Sequence, residues 1–352
     1  MPAVAAPPGR DGAFAFPARG IRATYDWKET MTSHALDNDF ALARYRDGDT
    51  ARLGLAAGDR IRPVGPDELG AADLNAFLAQ GDAGWERLAA LVGVDGPWRP
   101  LADVVLTAPV EPRQVLQTGA NYREHVIQLV ASGLSTHEGE SEEDARARAA
   151  KIMDDRRQNG APYFFIGLPA CVVGDDVPLV LPASSDTHDW ELELAVVIGR
   201  EAFRVSRDEA MDHVAGYTIV NDISTREFTF RKDMKEIGSD WYRSKNSPGF
   251  LPTGPFLVPA QLLDGANADL RLELNGEAKQ EANTSDLLFD LPALISAASQ
   301  THPLLPGDLL LTGSPAGNGQ YWKRFLTDGD VMTGSIAGLG TQTVRCIAEE
   351  RA

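Results

Sequence analysis

Cysteine is nearly absent from this chain of 352 residues. Two occur, Cys171 and Cys346, with no CxxC pair, so neither a disulfide framework nor a thiolate zinc site is indicated. A reducing cytoplasm is the expected compartment. No run of about 20 apolar residues exists, and the N-terminus lacks the basic segment and apolar stretch of a secretory signal. A soluble, non-exported protein is expected. Basic residues are in deficit, 33 against 51 acidic, for a net charge of −18. That balance argues against duplex nucleic acid or an anionic membrane as the main partner. Also missing are a GxGxxG turn, a GxxxxGK[ST] loop and any internal repeat, so the nucleotide-binding and solenoid folds that carry those signatures drop out.

Hydrophobic residues make up 43%, ample for a sizeable core. Residues 1–37, rich in Ala, Pro and Gly early on, carry no sustained period and are read as an extension, disordered or draped over another surface. Short alternating segments with Asp-Gly and Gly-Asp turns between Phe40 and Val64 indicate strands. They make residues 38–111 a small β-rich N-terminal domain, completed by a helix or two over residues 67–92. The second domain, 112–352, has Gly and Pro at nearly every junction and few helical segments. The expected class is a β-dominated α+β fold. Ser141-Glu-Glu-Asp144 opens a charged helical stretch running through Arg157, either a solvated helix or part of a mobile lid over about 126–162.

The chemistry begins at Glu191-Leu-Glu193, in the run Asp189-Trp-Glu-Leu-Glu-Leu-Ala-Val-Val-Ile-Gly199. Strand residues two apart project to one face, which sets the two carboxylates side by side. An exposed acidic edge strand is the plain alternative. The following Leu-Ala-Val-Val-Ile reads instead as a strand covered on both faces, where unpaired charge is costly, so a divalent cation is the first expectation. Asp222, where Gly216-Tyr-Thr-Ile-Val-Asn221 runs into an Asn-Asp turn, offers a third carboxylate. Three carboxylates suit Mg²⁺ or Mn²⁺, whereas zinc recruits His or Cys.

These segments resemble the fumarylacetoacetate hydrolase family over roughly Val115 to Thr343. The resemblance is carried by Gly119-Ala-Asn-Tyr-Arg-Glu-His125, the Asp189–Gly199 run, Gly216-Tyr-Thr-Ile-Val-Asn-Asp-Ile-Ser-Thr-Arg226, Leu251-Pro-Thr-Gly-Pro255, Gly307-Asp-Leu-Leu-Leu-Thr-Gly-Ser-Pro-Ala-Gly317 and Gly338-Leu-Gly-Thr341. It implies a mixed β-sandwich or roll, a homodimer, and Glu191, Glu193 and Asp222 holding Mg²⁺ or Mn²⁺. It further implies His125 and Lys245 as catalytic residues, and Tyr122, Arg226, Thr312 and Ser314 as contacts to a small anionic 2-oxo acid. The stretch Arg226 to Lys245 holds six basic and four acidic residues, which suits a dianion entering an acidic protein.

Three departures matter. Relatives often carry Glu three residues after the catalytic His, where this chain has Gln128, so Glu124, Glu138 or Glu140 replaces it or His125 works alone. Relatives often carry Lys at Gly167 and Gln at Thr229. The leading expectation is hydrolysis of a 2,4-dioxo acid, an acylpyruvate or diketo-deoxy sugar acid, to pyruvate and a carboxylic acid. Oxaloacetate decarboxylation or 2-oxo-acid isomerisation or hydration on the same scaffold is the alternative. A non-catalytic metal- or ligand-binding scaffold is a third.

Overall fold

The computed structural model describes residues 36–129, 140–174 and 176–350. The expected extension therefore lies outside the described residues, apart from Leu36 and Asp37. Leu36 is buried, and Asp37 accepts hydrogen bonds from the Gly338 and Gly340 amides.

Two large sheets, with two further two-stranded ones, build a mixed α+β molecule in which strands dominate. The larger sheet runs, in spatial order, Arg99–Pro100, Arg60–Pro63, Thr50–Ala57, Ala41–Asp47, Phe256–Pro259, Val214–Asn221, Leu192–Ile198, Leu309–Leu311, Val115–Gly119 and Tyr163–Gly167, with Leu106–Thr107 pairing beside Ala41–Asp47. Its pairs are antiparallel except Leu309–Leu311 with Val115–Gly119. The N-terminal strands join this sheet through the Ala41–Asp47 and Phe256–Pro259 pairing. The smaller sheet orders Glu277–Asn283, Asp269–Leu274, Val331–Ile336, Gly340–Ala348 and Leu179–Leu181.

The Leu192–Ile198 strand is buried at every position, as a strand roofed on both faces must be. Leu192, Leu194, Val196 and Ile198 pack among Leu270, Leu272, Met332 and Val344 of the second sheet. Ala195 and Val197 point the other way, into a cluster with Leu42, Leu55, Phe77 and Trp85. The sheets approach closely enough that a Cβ at Gly334 would meet Leu192 Cδ1 at 2.5 Å. The short helices Leu74–Leu78 and Asp82–Ala89 supply Phe77, Trp85 and Leu88 to the opposite cover. Ala210–His213 forms a single 3-10 turn.

The charged stretch forms the helix Glu142–Asn159, and Ser141 Oγ caps it by accepting from the Asp144 amide at 3.1 Å. Ala145, Ala149 and Met153, four residues apart, give it a narrow buried stripe. Arginines tie it down: Arg146 to Glu124, Arg123 to Asp154, and Arg156 to the Ala120 carbonyl. Residues 130–139, the centre of the expected lid and the home of Glu138, lie outside the described residues.

Gly216 marks the tightest backbone approach in the large sheet, since a Cβ there would fall 2.1 Å from the Val258 carbonyl oxygen. Gly216→Ala is therefore expected to destabilise the chain by at least about 3 kcal/mol, the upper end of overpacking costs, as read by urea denaturation. A loss below about 0.5 kcal/mol would show that this strand pair yields freely.

Candidate metal centre

Antiparallel register assembles the centre. Leu192 pairs with Asn221 and Glu193 with Val220, so the start of one strand lies against the end of its neighbour. Asp222 N donates to the Glu191 carbonyl at 2.8 Å, and Asn221 Oδ1 accepts from the Glu191 amide at 2.9 Å. Carboxylate oxygens of Glu191, Glu193 and Asp222 then all lie within 4.8 Å of one another, each residue buried.

Two cations stand among them. Lys245 Nζ donates to Glu191 Oε2 and Asp222 Oδ2, both at 2.6 Å, and is 2% exposed. Arg226 donates from Nη2 to Glu191 Oε1 and from Nε to Asp189 Oδ2, both at 2.6 Å. Asp189 is fully buried and also accepts from the Gly319 amide at 2.5 Å and the Gln320 amide at 3.1 Å. Sequence reasoning assigned Asp189 no role, although its spacing of two from Glu191 marks it as a third member of one strand face.

The charges do not balance. Among the described residues, the only cations that pair with Asp189, Glu191, Glu193 and Asp222 are Arg226 and Lys245, which leaves two negative charges unmatched if all four carboxyls ionise. Burial alone would raise Glu191, but Arg226 and Lys245 outweigh it and hold its carboxyl down at about 2. Asp222 is pushed up to about 6 by burial and by Glu191, against the pull of Lys245. Glu193 rises well above the usual carboxylate range through burial and through repulsion from Asp222 and Glu191, while the Gly313 amide donates to it at 2.7 Å. Hard oxygens, two surplus charges and a strained third carboxyl fit a divalent cation such as Mg²⁺ or Mn²⁺.

His125, in the helix Arg123–Leu129, is buried, and burial lowers its imidazole to about 4, with Arg226 and Lys245 adding to that pressure and Glu191 opposing it. Its Nδ1 is buried and has no partner among the described residues. Neither Glu124 nor Glu140 supplies one: Glu124 pairs with Arg146 and Glu140 with Arg148. Gln128 Oε1 instead accepts from the Gly317 amide at 3.2 Å and braces the Thr312–Gly317 turn. Tyr122 is fully buried, and its hydroxyl, with no partner among the described residues, is raised first by burial and next by the charge of Glu193. Thr312 Oγ1 donates to the Leu194 carbonyl, and Ser314 Oγ accepts from Gln280 Nε2 at 3.0 Å. The Thr229 hydroxyl lies 3.0 Å from that of Ser244.

A strand-rich fold carrying a buried carboxylate triad beside a histidine defines a class of candidate metal-dependent enzymes. The fumarylacetoacetate hydrolase C-terminal model matches residues 114–347, and the chain belongs to that family. It is 40% identical over 185 residues to 2,4-didehydro-3-deoxy-L-rhamnonate hydrolase of Sphingomonas sp. (strain SKA58), covering 51% of this chain and 63% of that protein. It is 39% identical over 182 residues to oxaloacetate tautomerase fahd2, mitochondrial, of Xenopus laevis, covering 51% and 56%. Among solved structures, maleylpyruvate hydrolase from Sphingobium sp. SYK-6 in complex with manganese(II) ion and pyruvate matches with a TM-score of 0.64 and 28% identity, over 88% of this chain and all of that one. No helix among the described residues is long and apolar enough to cross a membrane.

Because Glu193 and Asp222 hold protons more tightly than ordinary carboxyls, Mn²⁺ uptake near pH 6 is expected to release protons. Calorimetry in buffers of differing ionisation enthalpy reads this directly. Binding with no buffer dependence would contradict the raised proton affinity of Glu193 and Asp222.

Proposed function

We propose that this chain is a divalent-metal-dependent hydrolase of 2,4-dioxo acids, cleaving C3–C4 to give pyruvate and a carboxylic acid. The observation that carries this reading is the buried triad with two surplus negative charges set beside a neutral histidine. Glu191, Glu193 and Asp222 would hold Mg²⁺ or Mn²⁺, which supplies the positive charge that stabilises the 2-oxo acid oxygens as negative charge builds there. Arg226, held through Nε and Nη2 on Asp189 and Glu191, would present its positive charge to the substrate carboxylate. Lys245 holds Glu191 and Asp222 in place by its two hydrogen bonds and lends the centre positive charge. With Nδ1 buried, His125 takes a proton from water at Nε2 as the water oxygen adds to C4. The C3–C4 pair of electrons leaves with the pyruvate half, and C3 regains a proton. The residues 112–352 are proposed as the catalytic domain, acting in a cytoplasmic homodimer.

One observation favours a second reading. An imidazolium formed at Nε2 would leave the Nδ1 hydrogen without an acceptor among the described residues, since Gln128 is spent on Gly317 and Glu124 and Glu140 on arginines. A weak base suits reactions that need enol stabilisation without water attack, such as oxaloacetate tautomerisation or decarboxylation.

Incubation with Mn²⁺ and either an acylpyruvate or oxaloacetate separates the readings. Pyruvate plus a carboxylic acid in equal amounts is the expected outcome. Enol–keto interconversion or CO₂ from oxaloacetate alone selects the second reading, and silence across a 2-oxo-acid panel overturns both. His125→Asn is expected to lower kcat by about 10²–10⁴-fold while leaving Mn²⁺ affinity close to that of the parent chain. The neutral base forms as pH rises through about 4, so His125 itself sets no acid limb above about pH 5. Unchanged turnover in that variant would remove His125 from the chemistry.

A further inference from the structure

We propose that Gln117 is a positioning residue for Asp222, and that the missing side chain at Gly167 is what lets it reach. The inference rests on the metal-dependent reading above. Gln117 belongs to the Val115–Gly119 strand and is fully buried. Its Nε2 donates to Asp222 Oδ1 at 2.5 Å, across 105 residues of sequence. Lys245 Nζ donates to the other oxygen, Oδ2, at 2.6 Å. Asp222 thus receives one hydrogen bond on each carboxylate oxygen, and its carboxyl plane cannot turn without breaking one of them.

The choice of amide follows from charge. A lysine or arginine in place of Gln117 would cancel one of the two surplus negative charges that suit a divalent ion. A glutamate would add a third and repel Asp222 at contact distance. Glutamine orients the carboxylate and leaves the balance untouched. It does so at a cost, because its Oε1 is buried with no partner among the described residues. An orphaned amide oxygen disfavours the fold, so packing alone is a poor reason for this residue.

Gly167 completes the arrangement. Gln117 pairs with Phe165 and Val115 with Gly167 across antiparallel strands, which makes Gly167 the diagonal neighbour of Gln117 on the same face. A Cβ at position 167 would fall 2.9 Å from Gln117 Oε1 and 3.1 Å from its Cδ. Any side chain there displaces the amide. The position where relatives often carry lysine is left bare here, and the glutamine uses the room.

Gln117→Leu removes the donor at similar volume, and Gly167→Ala displaces it. Mn²⁺ titration followed by electron paramagnetic resonance, with thermal melting of the metal-free proteins, reads both. The expected result is a Kd for Mn²⁺ raised about 10–100-fold in Gln117→Leu, and raised by a smaller factor in Gly167→Ala. Saturating Mn²⁺ should then restore most of kcat, a rescue that a general packing defect would not show. Parental Mn²⁺ affinity in a folded Gln117→Leu protein, or lost activity that excess metal fails to restore, would overturn the inference. If Gln117→Leu does not fold, parental affinity in Gly167→Ala does the same. A parent chain that binds no Mn²⁺ overturns the functional reading as well, which distinguishes the two failures.

Discussion

Everything at the centre of this protein depends on a charge imbalance kept out of water. Four carboxyls converge where the Leu192–Ile198 strand begins and the Val214–Asn221 strand ends, and among the described residues only Arg226 and Lys245 answer them. The two cations are not evenly shared. Glu191 takes a hydrogen bond from each, while Glu193 takes one from the Gly313 amide and none from either cation. Uneven pairing holds one carboxyl ionised and drives another to retain its proton, so the site is poised to exchange protons for a metal ion.

The scaffold serves that imbalance. Roofing the Leu192–Ile198 strand with a second sheet on one side and the Phe77 and Trp85 cluster on the other removes the water that would screen the carboxylates. Asp189 then links three pieces of chain, because Arg226 and the Gly319 and Gln320 amides all donate to it. The arginine that steadies Glu191 is steadied in turn by the segment following the Thr312–Gly317 turn. Gln128 ties the same turn to the histidine helix. The consequence is a centre whose histidine has no orienting acceptor at Nδ1 among the described residues, and this feature separates the hydrolytic reading from the enol chemistry of some relatives.

Much of this was legible in the residues. Glu191 and Glu193 declare themselves through strand period two and the apolar run after them, and Asp222 through its place at the end of a second apolar run. The Ser141 cap is local, so its spacing sufficed. What escaped were contacts that chain spacing does not encode. Gln117 meets Asp222 from 105 residues away, and Gln128 meets Gly317 from 189 away. An amide in a short strand carries no signal of its partner. Thr312, expected to face substrate, turns its hydroxyl to the Leu194 carbonyl, which also accepts from the Thr312 amide. The joining of the N-terminal strands to the long sheet also left no mark, since periodicity reports which face of a strand is buried and not which strand lies beside it.

The central claim is that the two surplus charges belong to a divalent ion held by three carboxylates. Diffraction at the manganese edge from crystals grown with Mn²⁺ and oxalate, a pyruvate-like chelator, tests it most directly. The account predicts one anomalous peak per chain, ligated by Glu191, Glu193 and Asp222, with oxalate completing the shell. A centre without a peak, with Lys245 alone bridging Glu191 and Asp222, would contradict it.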